Sequence, residues 1–347
     1  MRPIDMRSDT VTRPTSAMRE AMFSAELGDD VFGDDPTVNR LQEVAAERLG
    51  KEAALFVPSG TMANQVAIRT HTEPGDEIVV EAGSHIFLYE GGGASALSGV
   101  SVRTVPGARG LLSADQVAEA VRPPGGLSHY PVSKLVCLEN TANRGGGSLY
   151  RPDRVDAIAR VARDRGLRLH LDGARMFNAA VALGLPASTL AEPFDSISFC
   201  LSKGLGCPVG SLLVGTKAFV ARAHRFRKML GGGMRQAGVL AGAGLYALEH
   251  HVDRLALDHA RARRLGEAMA AVPGCSVDLA SVESNMVYVD VAGTGLDADA
   301  FAAGLLESGI WTHATGPTSL RFVTHLQVDD AAVEATLAAF VAVAARG

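Results

Sequence analysis

From about residue 35 to residue 250 the chain alternates short apolar runs with amphipathic stretches of helical period. Asp35 followed by Pro36 is a helix start, because an aspartate accepts from free backbone N–H groups and proline fits the first helical position. Val38, Leu41, Val44 and Ala45 then recur at three-and-four spacing, as one buried helix face requires. The apolar runs predict strands at Ala53 to Val57, Glu77 to Val80, Val100 to Val105, Leu135 to Leu138, Leu167 to Leu171, Ser196 to Cys200 and Ser211 to Val214. Helical stretches such as Pro152 to Arg165 separate most of them, which is the order of an α/β domain with a mostly parallel sheet. A long helical stretch from about Gln236 to Ala271 leaves that domain. Beyond it, strands at Asn285 to Val291 and Leu320 to Val323 and helices at Asp297 to Ser308 and Asp329 to Ala345 predict a small α+β domain. The expected division is an N-terminal arm over 1–34, a large domain over 35–250 and a small domain over 251–347.

In parallel sheets ligands bind beyond the carboxyl ends of the strands, so polar residues there are the first candidates for chemistry. Ser202-Lys203-Gly204 follows the Ser196 to Cys200 run, and Leu171-Asp172-Gly173-Ala174-Arg175 ends another. Each residue alone has an ordinary reading, Lys203 as a solvated surface charge and Asp172 as a helix cap. Together they are the pair that pyridoxal phosphate (PLP) needs: an amine to form a Schiff base and a carboxylate to keep the pyridine nitrogen protonated. Pro58-Ser59-Gly60-Thr61 turns from a strand into a helix, and reads as a phosphate cup or as a plain helix cap. His85, after the Ile78 to Val80 run, reads as a ring that stacks on the cofactor, as a base, or as a hydrogen-bonded loop residue. Tyr89, Glu90 and His129 are polar candidates near loops of the same kind.

Arg175 and Arg321 are candidates for holding a substrate carboxylate, since a guanidinium fork binds one through two parallel hydrogen bonds. Arg321 lies inside an apolar strand and needs an anion, either the substrate or an aspartate such as Asp290. Arg235, just past Gly231-Gly-Gly, reads as a phosphate contact, across a subunit interface, or as surface charge. Two motifs are set aside. Gly204-Leu-Gly206 leads through Pro208 into a strand rather than a helix, unlike a dinucleotide loop. His170 and Asp172 have no further His/Cys cluster at metal-ligand spacing, and the sequence leaves any metal unassigned.

Composition narrows the class further. The 347 residues carry a formal net charge of −5 with no Lys/Arg-rich block, which argues against a nucleic-acid partner. The N-terminus is too polar for a signal peptide, and no uncharged apolar stretch is long enough to span a bilayer, so the expectation is a cytoplasmic enzyme without a membrane partner. The four cysteines form no CxxC pair, and Cys137 and Cys200 fall in strand runs as buried thiols.

These motifs, taken in order, closely resemble the low-specificity L-threonine aldolases, which are PLP enzymes of the aspartate-aminotransferase-like fold type I. The resemblance covers nearly the whole chain. It is carried by Arg7-Ser8-Asp9-Thr10-Val11-Thr12, Gly28 to Pro36, Gly50 to Ala54, Ser59-Gly-Thr-Met62, His85, Asp172-Gly-Ala-Arg175, Cys200 to Gly204, Gly231 to Gln236 and Arg321-Phe-Val-Thr-His325. The chain departs from it at Ala142, where family members often have His, and at Phe32, where many have Tyr. The resemblance implies PLP on Lys203, Asp172 at the ring nitrogen and His85 on the ring face. Gly60 and Thr61 would bind the phosphate with Arg235 of a neighbouring subunit, in a homotetramer with shared sites. Ser8, Arg175 and Arg321 would hold the substrate, with Arg175 also at the cofactor. The implied reaction is retro-aldol cleavage of a β-hydroxy-α-amino acid to glycine and an aldehyde. His85 or His129 would be the base, or Glu90 acting through a water. The competing readings are β-elimination, a glycine hydroxymethyltransferase, and a non-catalytic PLP-binding regulatory domain.

Overall fold

A computed structural model of the chain describes residues 3–123 and 128–346. The chain opens with a two-residue strand, β1 (Ile4–Asp5). Seven strands then build the large sheet: β2 (Ala53–Val57), β3 (Glu77–Glu81), β4 (Ser101–Val105), β5 (Ser133–Glu139), β6 (Arg168–Asp172), β7 (Ser196–Cys200) and β8 (Ser211–Gly215). Their order is β2-β8-β7-β6-β5-β3-β4. The strands β7, β6, β5, β3 and β4 run parallel, and only β8 runs against its neighbours β2 and β7. The sequence expectation of a mostly parallel sheet therefore holds, with one reversal. Residues 201–210 between β7 and β8 contain no helix, and a parallel return needs a crossover of a dozen or more residues. The inner strands β3, β7 and β8 are buried at every position, as expected when helices cover both faces.

The predicted helix start at Asp35 is present. Asp35 Oδ1 accepts from the Val38 N–H at 3.0 Å, Pro36 opens the helix, and Val38, Leu41 and Ala45 are buried. The stretch expected as one helix over Gln236 to Ala271 is two, Gly238–His250 and Leu255–Ala270. Between them the ladder shortens to three-residue bonds, from the Leu255 N–H to the Val252 carbonyl and from the Ala256 N–H to the Asp253 carbonyl. The buried His251 is held there by the Leu205 carbonyl at 2.7 Å.

The small domain adds β9 (Met286–Asp290), β10 (Ile310–Trp311), β11 (His313–Ala314) and β12 (Ser319–Val323). Three of these form an antiparallel sheet in the order β11-β12-β9. Its core is Phe301, Phe322, Phe340, Val287 and Leu320, and it includes Met6 from the start of the chain. The N-terminal segment packs on this domain: β1 pairs in parallel with β10, and the Val323 N–H donates to the Met6 carbonyl at 2.9 Å. The changeover between the two cores falls inside the Leu255–Ala270 helix, where Leu255 packs with the large core and Ala262 with the small one. All four cysteines are free, with Cys137, Cys200 and Cys207 buried.

Candidate active site

Because β3, β5, β6 and β7 run the same way, their carboxyl ends bring His85, Glu139, Asp172 and Lys203 to one edge of the sheet. The small domain and the N-terminal segment close the other side. Between them lies a cavity of about 380 Å³ whose lining includes Ser8, His85, Glu139, Asp172, Arg175, Lys203 and Arg321. Residues predicted from three separate parts of the chain therefore meet in one place.

Asp172 is buried and held by two donors. Asn64 Nδ2 donates to its Oδ2 at 2.8 Å and the Ala174 N–H to its Oδ1 at 3.1 Å. Asn64 is fixed in turn, since Ser198 Oγ donates to its Oδ1 at 2.8 Å and His170 Nε2 lies 3.2 Å from the same oxygen. Burial pushes the His170 pKa down to about 4, so this ring is a neutral prop at ordinary pH. Asn64 sits one helical turn after Gly60 and Thr61, in the Gly60–His71 helix. Those two residues supply first-turn N–H groups that a helix cannot satisfy internally. They do not line the cavity themselves. A side chain at Gly60 would come within 2.7 Å of Cys200 Sγ, so the turn approaches the sheet as closely as only glycine permits.

His85 begins the short His85–Leu88 helix. Its Nδ1 lies 2.9 Å from Glu90 Oε1, which places a ring proton on Nδ1 and leaves Nε2 unprotonated when the ring is neutral. Burial lowers the His85 pKa, but the Glu90 hydrogen bond and the charges of Asp172 and Glu90 outweigh it, and the net direction is upward. Glu90 is fully engaged, accepting from Asn64 Nδ2 at 2.7 Å and Gln65 Nε2 at 2.6 Å as well. It does not line the cavity, and it contacts the lining through His85. His85, Glu90 and Asp172 also satisfy the spacing of a metal triad, with ligand atoms within 4.8 Å of one another. Hydrogen bonds from Asn64 and Gln65 already occupy the carboxylates, and no metal is needed to explain them.

The two arginines differ. Arg175 is buried and forms a two-pronged pair with Asp9, Nε to Oδ2 and Nη2 to Oδ1, both at 2.7 Å. Despite burial, the pairing holds the Asp9 carboxyl well below its usual range and the guanidinium above its own. Arg321 has no carboxylate partner among the described residues. Its Nη1 donates to Asn143 Oδ1 at 3.1 Å, its Nη2 to the Arg7 carbonyl at 2.8 Å, and its buried Nε has no partner. Asp290, the internal alternative, is taken by Thr318 Oγ1 and the Ala292 N–H.

His129 and Arg235 lie elsewhere in the protomer. His129 is exposed and tilted against Tyr130, with ring centroids 4.6 Å apart, and Arg235 is exposed and pairs with Asp29 at 3.0 Å. Neither lines the cavity. Sequence reasoning gave no site role to Glu139, Asn64 or Asp9. Glu139 stands in line with Asp172 across the β5–β6 pair, and its place at a strand end was the available signal. Burial and the Asp172 charge push its carboxyl up to about 7, against the pull of two backbone N–H donors.

A buried carboxylate with free acceptor capacity, a cavity lysine and an unsatisfied helix start are the groups a phosphorylated pyridine aldehyde requires, so the residues fit PLP. This sheet and site define the fold type I class. Two solved structures share the architecture: a threonine aldolase of Leishmania major, with a TM-score of 0.85 at 20% identity over 99% of this chain and 100% of that one, and a Sphingomonas wittichii serine palmitoyltransferase, at 0.76 and 19% over 98% and 87%. The family model described as beta-eliminating lyase matches residues 5–292. At the level of sequence the chain is 44% identical to low-specificity L-threonine aldolase 1 of Arabidopsis thaliana, over 98% of this chain and 96% of that one. It is 45% identical to the low specificity L-threonine aldolase of Escherichia coli K12, over 94% of each. The chain belongs to the low-specificity L-threonine aldolase family within the beta-eliminating lyases.

Proposed function

We propose that the chain is a PLP-dependent aldehyde-lyase that cleaves L-threonine, L-allo-threonine and related β-hydroxy-α-amino acids to glycine and an aldehyde such as acetaldehyde. The observation that carries this reading is the cavity itself, which faces Lys203, Asp172 and His85 with an arginine that lacks an anion. PLP, when bound, supplies an electron sink for the charge left at Cα. Lys203 is the amine that holds it, and Asp172, kept in place by Asn64 and the Ala174 N–H, holds the proton on its pyridine nitrogen. Arg321 binds the substrate carboxylate from the cavity wall, with Ser8 beside it in the lining. That anchor would fix the orientation of the substrate at Cα, and so favour loss of the β-carbon. His85 would stack on the cofactor and its Nε2 would take the β-hydroxyl proton, a role supported by the Glu90 contact at Nδ1 that fixes its tautomer. Arg175 is closed by Asp9 and shapes the wall instead of gripping the carboxylate.

His129 and Arg235 enter this reading only across a subunit interface, in a homotetramer whose neighbours share sites. Exposed Phe23, Leu27, Phe32 and Met229 support that assembly, since Phe32 follows Asp29, the ion-pair partner of Arg235, by three residues. No described helix is long and apolar enough to cross a membrane, and we place the enzyme in the cytoplasm.

A second reading, β-elimination, is favoured only by the name of the matching family. Incubation with L-threonine separates the two. Acetaldehyde with glycine supports the aldolase, and 2-oxobutanoate with ammonia overturns it. Lys203→Ala abolishes both turnover and the visible absorbance of lysine-bound cofactor; persistence of that absorbance refutes the assignment of Lys203. If His129→Phe leaves the turnover of threonine unchanged, His129 is excluded as the base.

A further inference from the structure

Glu139 is the one carboxyl in the cavity wall with no part in the scheme above. It ends β5 beside Asp172 and is 6% exposed. Both of its oxygens accept from backbone N–H groups, Oε2 from His85 at 2.6 Å and Oε1 from Asn143 at 2.7 Å. These two residues lie on different working parts. The His85 N–H belongs to the first residue of the helix that presents the imidazole ring. Asn143 carries the Oδ1 that accepts from Arg321 Nη1, and its carbonyl accepts from Tyr288 Oη at 3.0 Å, so it binds two residues of the small domain. The carboxyl therefore stands between the histidine supplied by the large domain and the arginine supplied by the small one.

We propose that Glu139 is a positioning residue that sets the His85 ring and the Asn143–Arg321 anchor in register with each other through its two oxygens. The chemistry demands a carboxyl at this point. Two backbone donors need two acceptor oxygens, and a primary amide offers one oxygen and one NH₂ group that faces a donor with a donor. The inference rests on the aldolase reading, which the product assay on the wild-type enzyme tests separately.

The test uses the PLP-loaded enzyme and two double-mutant cycles built on Glu139→Gln. In the first, Glu139→Gln is combined with Asn143→Ala and the dissociation constant of glycine is read from the visible absorbance of the bound cofactor, with no chemical step involved. In the second, it is combined with His85→Asn and kcat/KM for L-threonine is measured. The expected result is that Glu139→Gln weakens each reading by roughly tenfold, the scale of one charge-assisted hydrogen bond. Each double variant falls short of the product of its singles by at least about twofold, the mark of coupled groups. Additivity in either cycle overturns the proposal, because Glu139 then serves at most one of the two parts. A lowered Tm with unchanged glycine binding and kcat/KM also overturns it, leaving a purely structural carboxyl. If Glu139→Gln fails to fold, Glu139→Asp, which keeps the charge but withdraws it from its donors, is read in the same cycles by the same criteria.

Discussion

Arg175 and Arg321 line one cavity from opposite sides, and their charges are handled in opposite ways. The Arg175 guanidinium is buried and matched by Asp9, which arrives from the N-terminal segment and also accepts from Asn285 Nδ2 at 3.1 Å. Arg321 is given two neutral oxygens and left with a buried Nε that binds nothing. The difference teaches that a guanidinium in a pocket wall is not by itself a carboxylate site. What such a site needs is a guanidinium that the fold has not already paired with a carboxylate. Arg175 is paired within the fold, and Arg321 has no carboxylate partner among the described residues.

The largest effect that would break this contrast is on stability. Asp9→Ala leaves Arg175 buried and unpaired, and is expected to cost about 3–5 kcal/mol in urea unfolding of the apo-protein. A loss below about 1 kcal/mol would mean that the pair is solvated and that Arg175 is available after all. Next comes Arg321→Ala, expected to lower kcat/KM for L-threonine by roughly 100-fold, most of it in KM, while leaving Tm nearly unchanged. If KM held and Tm fell, the two arginines would have to exchange roles. Arg321→Lys should fall between, at roughly tenfold in KM, since an ammonium keeps the charge but loses the fork.

The smallest expected effect concerns titration, where the same distinction between matched and unmatched groups applies. Burial depresses the pKa of six histidines, His71 to about 3, His170 and His259 to about 4, and His224, His251 and His313 by smaller amounts. Between its folded and unfolded values such a histidine is neutral in the folded chain and charged in the unfolded one. Unfolding then binds a proton, and stability rises with pH. The carboxyls of Asp30, Asp258 and Glu139 are raised by burial and work the other way. His85, whose net shift is upward, joins them. The expectation is that the depressed histidines dominate and that urea stability increases from about pH 4.5 to 6.5. A flat or falling profile would show that the histidines are not held neutral.

The sheet was largely readable because its strands are short apolar runs with helices between them, and β2 and β7 fall where the pattern put them. Lys203 and Asp172 were readable because a strand's carboxyl end is a position that sequence can mark. The reversal of β8 was signalled only by a connection without helical period. Asp9 was beyond reach, since its partner lies 166 residues away and no local pattern links an N-terminal aspartate to a helix start in the middle of the chain. Glu139 and Asn64 escaped for a related reason: their importance lies in which backbone and side-chain groups converge on them, and convergence is a property of the folded chain. Arg321 was recognised as needing an anion, but ruling out Asp290 required seeing the aspartate's own partners.

The pairing of β1 with β10 has a consequence for the order in which the molecule is made. The ribosome can release everything needed for the large sheet once Gly215 has emerged, and those strands can pair at that point. The segment that delivers Ser8 and Asp9 cannot settle, because its anchors at Ile310, Trp311 and Val323 are still unsynthesised. Arg175 is therefore expected to lack its counter-charge from its own synthesis until residues 310–323 follow. The segment around Ser8 and Asp9 is expected to settle after the large sheet, and the cavity to close only once residues 310–323 are in place.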